Sequence, residues 1–166
     1  MAEAPRRCDT EGQRRIDSGR PRSTVSVFIV DASVVVKWFV PEIHSEAAQR
    51  LLISPHDYLA PDLLFAETAN TIWKKIRRGD LKLEEGRRLV ADMSDIAVET
   101  VSCRALAEDA HALANTTGRT VYDALYVALA VRLNTRLITA DDRLEAALSK
   151  VPALAGHVQL VNTFRS

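Results

Sequence analysis

The stretch TVYDALYVALAVRLNTRLITADDRLEAALSK, residues 120–150, changes character twice. Residues 120–133 are apolar almost all round, interrupted by Thr120, Asp123 and Arg132, which predicts a helix enclosed by other elements. TRLITA (135–140) reads as a short buried strand, and DRLEAALSK (142–150) returns to helical spacing. Helix, strand and helix in direct succession, with no hairpin turn, belong to an α/β sheet. The same stretch raises a question. Asp123 is a full charge among hydrocarbon neighbours, and burying an unpaired carboxylate costs several kcal/mol.

Working outward, the alternation continues. VSVFIVDAS (25–33) is a β-branched run ending in a polar triplet and predicts a buried strand. A short helix follows, with Ser33 as its expected cap and Pro41 as its stop. SEAAQRLLIS (45–54) reads as a helix with Ser45 as cap, and DYLAP as a short strand. Pro61 is expected to open a long helix that runs through Arg78 and ends at Gly79. KLEEGRRLVADM is helical despite Gly86, IAVETVS is a strand, and CRALAEDAHALANTTG is a helix closed by Gly118 and begun at Cys103. HVQLV is the last strand. Connections too long for hairpins predict a mostly parallel central sheet with helices on both faces, in one domain over residues 25–166.

Composition limits the function classes. The chain has 166 residues, 47% hydrophobic and 27% charged, which fits one ordinary globular domain. Acids and bases balance at 22 each, so net charge neither favours nor excludes nucleic acid. Cys8 and Cys103 match no zinc or redox spacing. No apolar run approaches the roughly 20 residues of a membrane helix. The expectation is a soluble, cytoplasmic domain without membrane contact. Residues 1–24 carry six arginines against Glu3, Asp9, Glu11 and Asp17, with Ile16 as their one large aliphatic residue. Such composition predicts a disordered extension, or a coding start placed too far upstream.

In parallel sheets, ligands bind just past the carboxyl ends of the strands. The residues there are acidic. Asp31 ends the first strand, and Asp141 and Asp142 follow LITA. Glu67 lies in the first turns of the long helix, and Asp123 in the first turn of its own. Each has a structural explanation. Asp31, Asp141 or Asp142 could cap the helix it precedes, Thr120-x-x-Asp123 fits a capping box, and Glu67 shares a polar side with Asn70 and Thr71. Capping, however, gives no reason for acids to recur at the same end of successive strands. A carboxylate cluster persists only if protonated or bridged by a cation. Oxygen-only ligands select Mg²⁺ or Mn²⁺, which stabilise charge on a phosphoryl oxygen. On this reading, removing the Asp123 charge relieves repulsion in the metal-free protein.

IVDASVVVKWFVPE, LAPDLLFAETANTIWK, TVYDALYVALAVRL and LITADDRL, in this order, resemble the PIN-domain family. Within it they look most like the VapC-type ribonuclease toxins of type II toxin–antitoxin pairs. The resemblance covers roughly Val27 to Phe164. It implies a Rossmann-like fold, Mg²⁺- or Mn²⁺-dependent hydrolysis of RNA, a homodimer and a small cognate antitoxin. By the same resemblance Asp31, Glu67, Asp123 and Asp141 are the catalytic acids, with Asp31, Asp123 and Asp141 holding metal. Ser33 and Thr139 fall where small polar residues orient carboxylates or water.

For holding RNA, WKKIRR (73–78) offers Lys74, Lys75, Arg77 and Arg78, with Arg87 and Arg88 nearby; the alternative is a solvated helix end that complements the dipole. Asn70 and Thr71 lie nearer the acids. His44, His56, His111 and His157 are scattered among different elements and are expected to be structural or superficial. Two other classes remain. One is a catalytically silent RNA- or protein-binding module. The other is a phosphotransferase of the haloacid-dehalogenase type, which needs a second acid where this chain has Ser33. Receiver-type signalling fits less well, because it wants paired acids after the first strand.

Overall fold

β1 (Val27–Val30) is the middle strand of a five-stranded sheet in the computed structural model, which describes residues 25–165. The extension expected over residues 1–24 lies outside the described residues. β2 (Asp57–Pro61) and β3 (Val98–Val101) lie to one side of β1; β4 (Leu137–Thr139) and β5 (Val158–Leu160) lie to the other. The order is β3-β2-β1-β4-β5, and every pairing is parallel. The chain therefore moves outward in one direction, then returns and moves outward in the other. That reversal opens a crevice between the carboxyl ends of β1 and β4.

Side chains alternate between the two faces along a strand. The successive residues Ile29 and Val30 of β1, and Leu137, Ile138 and Thr139 of β4, are each fully buried. Both faces of the sheet are therefore covered, as a parallel sheet requires. Among the described residues seven helices cover it: α1 (Ala32–Phe39), α2 (Ser45–Leu52), α3 (Leu63–Arg78), α4 (Leu83–Asp92), α5 (Cys103–Thr117), α6 (Val121–Arg132) and α7 (Asp142–Leu148). The helix read from the opening stretch is α6. It packs on β1, β2 and β4 and against α5, and Ala124 through Ala130 are all buried. Its apolar circumference follows from that enclosure.

Several boundaries differ from the sequence reading. Pro61 closes β2, as expected, but does not open α3, which begins at Leu63, because the ladder continues past Pro61: the Asp62 N–H donates to the Val101 carbonyl at 2.9 Å. The cap of α1 is Asp31, whose Oδ1 accepts from the Val34 N–H at 3.1 Å, and Ser33 lies inside the first turn. The cap position of α2 is His44, in a left-handed conformation with φ 70°. Ser45 instead pins the preceding loop, its hydroxyl accepting from the Glu42 N–H and donating to the Val40 carbonyl. Gly86 is tolerated within α4 because that helix presses on α3 there. A Cβ at Gly86 would stand 2.4 Å from the Ile76 Cδ1.

Candidate active site

Asp31 follows β1 directly and is 6% exposed. Its two oxygens do different work. Oδ1 caps α1 and accepts the Ser33 hydroxyl at 2.5 Å, while Oδ2 accepts the Thr139 hydroxyl from the end of β4. Ser33 Oγ in turn accepts from the Ala140 N–H at 2.8 Å, and Thr139 Oγ1 from the Asp141 N–H at 3.0 Å. With their acceptor roles occupied by backbone donors, both hydroxyls point their protons at Asp31. Two strand ends are thus tied together through one carboxylate. Burial pushes the Asp31 carboxyl up to about 6, against the opposing pull of the hydrogen bonds from Ser33, Thr139 and the Val34 N–H; the charge of Glu67 raises it further.

A cavity of about 200 Å³ opens beside it. Its walls carry Asp31 from β1, Glu67, Asn70, Thr71 and Lys74 from α3, Asp123 and Tyr126 from α6, and Asp141 from the turn before α7. The four acids singled out in the sequence, remote from one another along the chain, therefore line one pocket at the switch point of the sheet. Asp142 is exposed and does not line it.

The cap of α7 is Asp141, not the adjacent Asp142. Its Oδ1 accepts from the Arg143 and Leu144 N–H groups at 2.8 and 3.1 Å. Its Oδ2 remains for the pocket. Capping and pocket-lining are thus compatible for Asp31 and Asp141, because a carboxylate has two oxygens. At α6 only the threonine half of the expected capping box forms, with Thr120 Oγ1 accepting from the Asp123 N–H at 3.1 Å.

Two residues in the site were not singled out from the sequence. Tyr126 donates its hydroxyl to Glu67 Oε2 at 2.7 Å. Burial raises the Tyr126 phenol above its ordinary range, and Glu67 reinforces the effect, so it stays a donor. Burial also raises the Glu67 carboxyl; the Tyr126 bond lowers it, the Asp123 charge raises it and Lys74 lowers it. The second residue is Arg119, whose Nη2 stands 3.0 Å from Asp123 Oδ2 and 3.7 Å from Asp141 Oδ2. The spacing held weak signals for both: Tyr126 falls three residues after Asp123, and Arg119 four before it. Among the described residues no group of three or more His, Cys, Asp or Glu side chains is gathered as a ready-made ion cage. Asp123 and Asp141 close on Arg119 instead.

The basic run of α3 divides. Lys74 reaches the pocket, whereas Lys75 is paired with Glu42, which also holds Lys37 at 2.8 Å. Lys75 is therefore engaged inside the fold rather than held out for RNA. Arg77 stacks over the exposed ring of Trp73 at 5.3 Å, and Arg78 is exposed; neither lines the pocket. The four histidines lie outside it, with His56 edge-on to Phe28 and Phe164 and His157 Nδ1 at 2.8 Å from the Thr135 carbonyl oxygen.

Residues 28–148 match the model of the PIN domain family. The chain is 38% identical over 128 residues to Ribonuclease VapC3 of Pyrobaculum aerophilum, covering 76% of this chain and 95% of the relative. Among solved structures it is similar to PAE2754 of the same organism, with a TM-score of 0.60 at 23% identity, over 84% of this chain and 94% of that one. It is also similar to a toxin–antitoxin complex from Klebsiella pneumoniae, with a TM-score of 0.57 at 16% identity, over 80% and 96%. At such identities the structural likenesses show the fold alone. No helix among the described residues is long and apolar enough to cross a membrane. The family model spans most of the described fold and the sequence relative covers three quarters of the chain, so the chain belongs to the PIN-domain family and is a homologue of VapC proteins.

Proposed function

We propose that this protein is a divalent-metal-dependent endoribonuclease and the toxin of a toxin–antitoxin pair. The observation that carries the reading is the convergence of Asp31, Glu67, Asp123 and Asp141 on one pocket at the sheet's switch point. The donor set is all oxygen, without His or Cys, and suits Mg²⁺ or Mn²⁺. Asp31, Asp123 and Asp141 would hold the ion once the last two release Arg119. When bound, the ion neutralises charge developing on the phosphoryl oxygens and acidifies water.

The protein's own groups do the rest. Ser33 and Thr139 fix the orientation of Asp31. The Tyr126 hydroxyl occupies Glu67 Oε2 and leaves Oε1 to accept the proton of the attacking water, whose approach is in line with the leaving 3′ oxygen. Products with 5′-phosphate and 3′-hydroxyl ends follow. Lys74 and Asn70, on the same wall as Glu67, hold the backbone of the RNA, and Arg77 and Arg78 extend the basic edge outward. A homodimer and a small antitoxin that blocks the site complete the proposal, supported by the relationship to VapC proteins.

Incubating the purified chain with a mixed RNA pool, with Mg²⁺, Mn²⁺ or chelator, tests the reading. Metal-dependent fragments with 5′-phosphate ends are expected. RNA that is bound but left intact under every divalent ion would make the protein a binding module.

A further inference from the structure

Arg119 joins two elements. It sits between Gly118, the left-handed end of α5, and Thr120, the cap of α6. Its side chain is about one quarter exposed, and Nη2 serves both Asp123 of α6 and Asp141 at the start of α7. The fit is incomplete. A guanidinium has five N–H donors and binds carboxylates best through two parallel bonds. Here one nitrogen is shared between two acids, and Nε is buried without a hydrogen-bond partner. A buried orphan donor makes this position costly to hold. Charge holds the guanidinium in place more than a complete set of hydrogen bonds does.

The two acids it serves are two of the three proposed to hold a divalent ion. A guanidinium and a divalent cation repel strongly a few ångströms apart in a partly buried pocket. One replaces the other. We infer that Arg119 is a built-in counter-cation: it closes Asp123 and Asp141 together while the pocket lacks a divalent ion, and ion binding displaces its guanidinium. The inference rests on the reading of the pocket as a cation site and adds a competitor to it. Arg119 then stabilises the metal-free fold and weakens the apparent affinity for the ion. A fixed brace between α6 and α7 would act the opposite way, because its removal would let two ligands drift and would weaken ion binding.

Binding of Mn²⁺ to the full chain without RNA, followed by the electron paramagnetic resonance of the free ion, separates these cases. Arg119→Gln is expected to bind Mn²⁺ about 5-fold tighter or more and to melt lower than wild type in chelator. Arg119→Lys, which keeps the charge, stays close to wild type. Unchanged or weaker Mn²⁺ binding by Arg119→Gln overturns the inference and leaves the cation site standing. No Mn²⁺ binding by any of the proteins overturns both. If Arg119→Gln does not fold, the wild type suffices: the Arg119 Nε–H resonance is expected to shift as Mg²⁺ saturates the pocket, and a resonance that does not move overturns the inference.

Discussion

Asp31 accepts hydrogen bonds from Ser33, Val34 and Thr139 and still lines the pocket. Burial raises its carboxyl to about 6, well above the unfolded value near 3.8. The folded state thus binds this proton more tightly than the unfolded one. Its contribution to stability is fully present below about pH 4 and is lost as pH rises through about 6. In chelator this loss amounts to at most about 3 kcal/mol. Melting of wild type and Asp31→Asn in chelator from pH 4 to 8 checks it: the wild type should lose ground to the variant across that window, and parallel curves would remove the buried charge from the account. Asp123 behaves differently because Arg119 faces it. From sequence alone, deleting its charge relieves repulsion. With the guanidinium 3.0 Å away, Asp123→Asn instead forfeits an ion pair and a favourable charge at the α6 N-terminus. We expect a loss of about 1 kcal/mol in chelator, read as a lower melting temperature. A higher one would mean that repulsion among the acids still dominates.

At the scale of elements, helix and strand identities were legible because periodicity and burial agree. α6 reads as enclosed because its middle, Ala124 through Ala130, is enclosed, whereas Val121, Tyr122 and Val131 at its ends are exposed. Boundaries were less legible, since one residue satisfies several local rules. Pro61 suits either the end of a strand or the opening of a helix, and only its pairing with β3 decides. Asp31 and Ser33 are both good caps, and the sharp exit from β1 gives the position to Asp31. The α1–α2 loop shows the same dependence on context. Glu42 in that loop joins Lys37 of α1 to Lys75 of α3, a link no sequence spacing announces. Burial alone would raise the Glu42 carboxyl, but the two lysines outweigh it and hold it below its usual value. Its contribution is therefore present at neutral pH and fades as pH falls through the carboxylate range. Glu42→Gln leaves two largely buried lysine side chains without a counter-charge and should cost about 1–2 kcal/mol at pH 7. Denaturant titration at pH 7 and pH 4 checks this, with a smaller difference expected at pH 4. An equal or larger one would assign the effect to packing rather than charge.

Across the whole molecule, the site exists only because the chain reverses direction at β1. Asp31 and Asp141 were readable because each lies just past a strand end, where parallel topology gathers side chains, Glu67 because it lies early in the helix after β2, and Asp123 because it is a lone charge at the start of an apolar helix. Arg119 and Tyr126 were not, because one follows a helix-ending glycine and the other sits within a uniformly apolar run. Their partners become evident only when α3, α6 and the β4–α7 turn are brought together. The most direct test of the central claim is single-turnover RNA cleavage with Mg²⁺ by the wild type, by Asp31→Asn, Glu67→Gln, Asp123→Asn and Asp141→Asn, and by Asp142→Asn as the neighbouring control. The account predicts metal-dependent cleavage that falls at least about 100-fold in each of the first four variants and stays near wild type in Asp142→Asn. Cleavage that persists in chelator, or equal losses in the Asp141 and Asp142 variants, would contradict it.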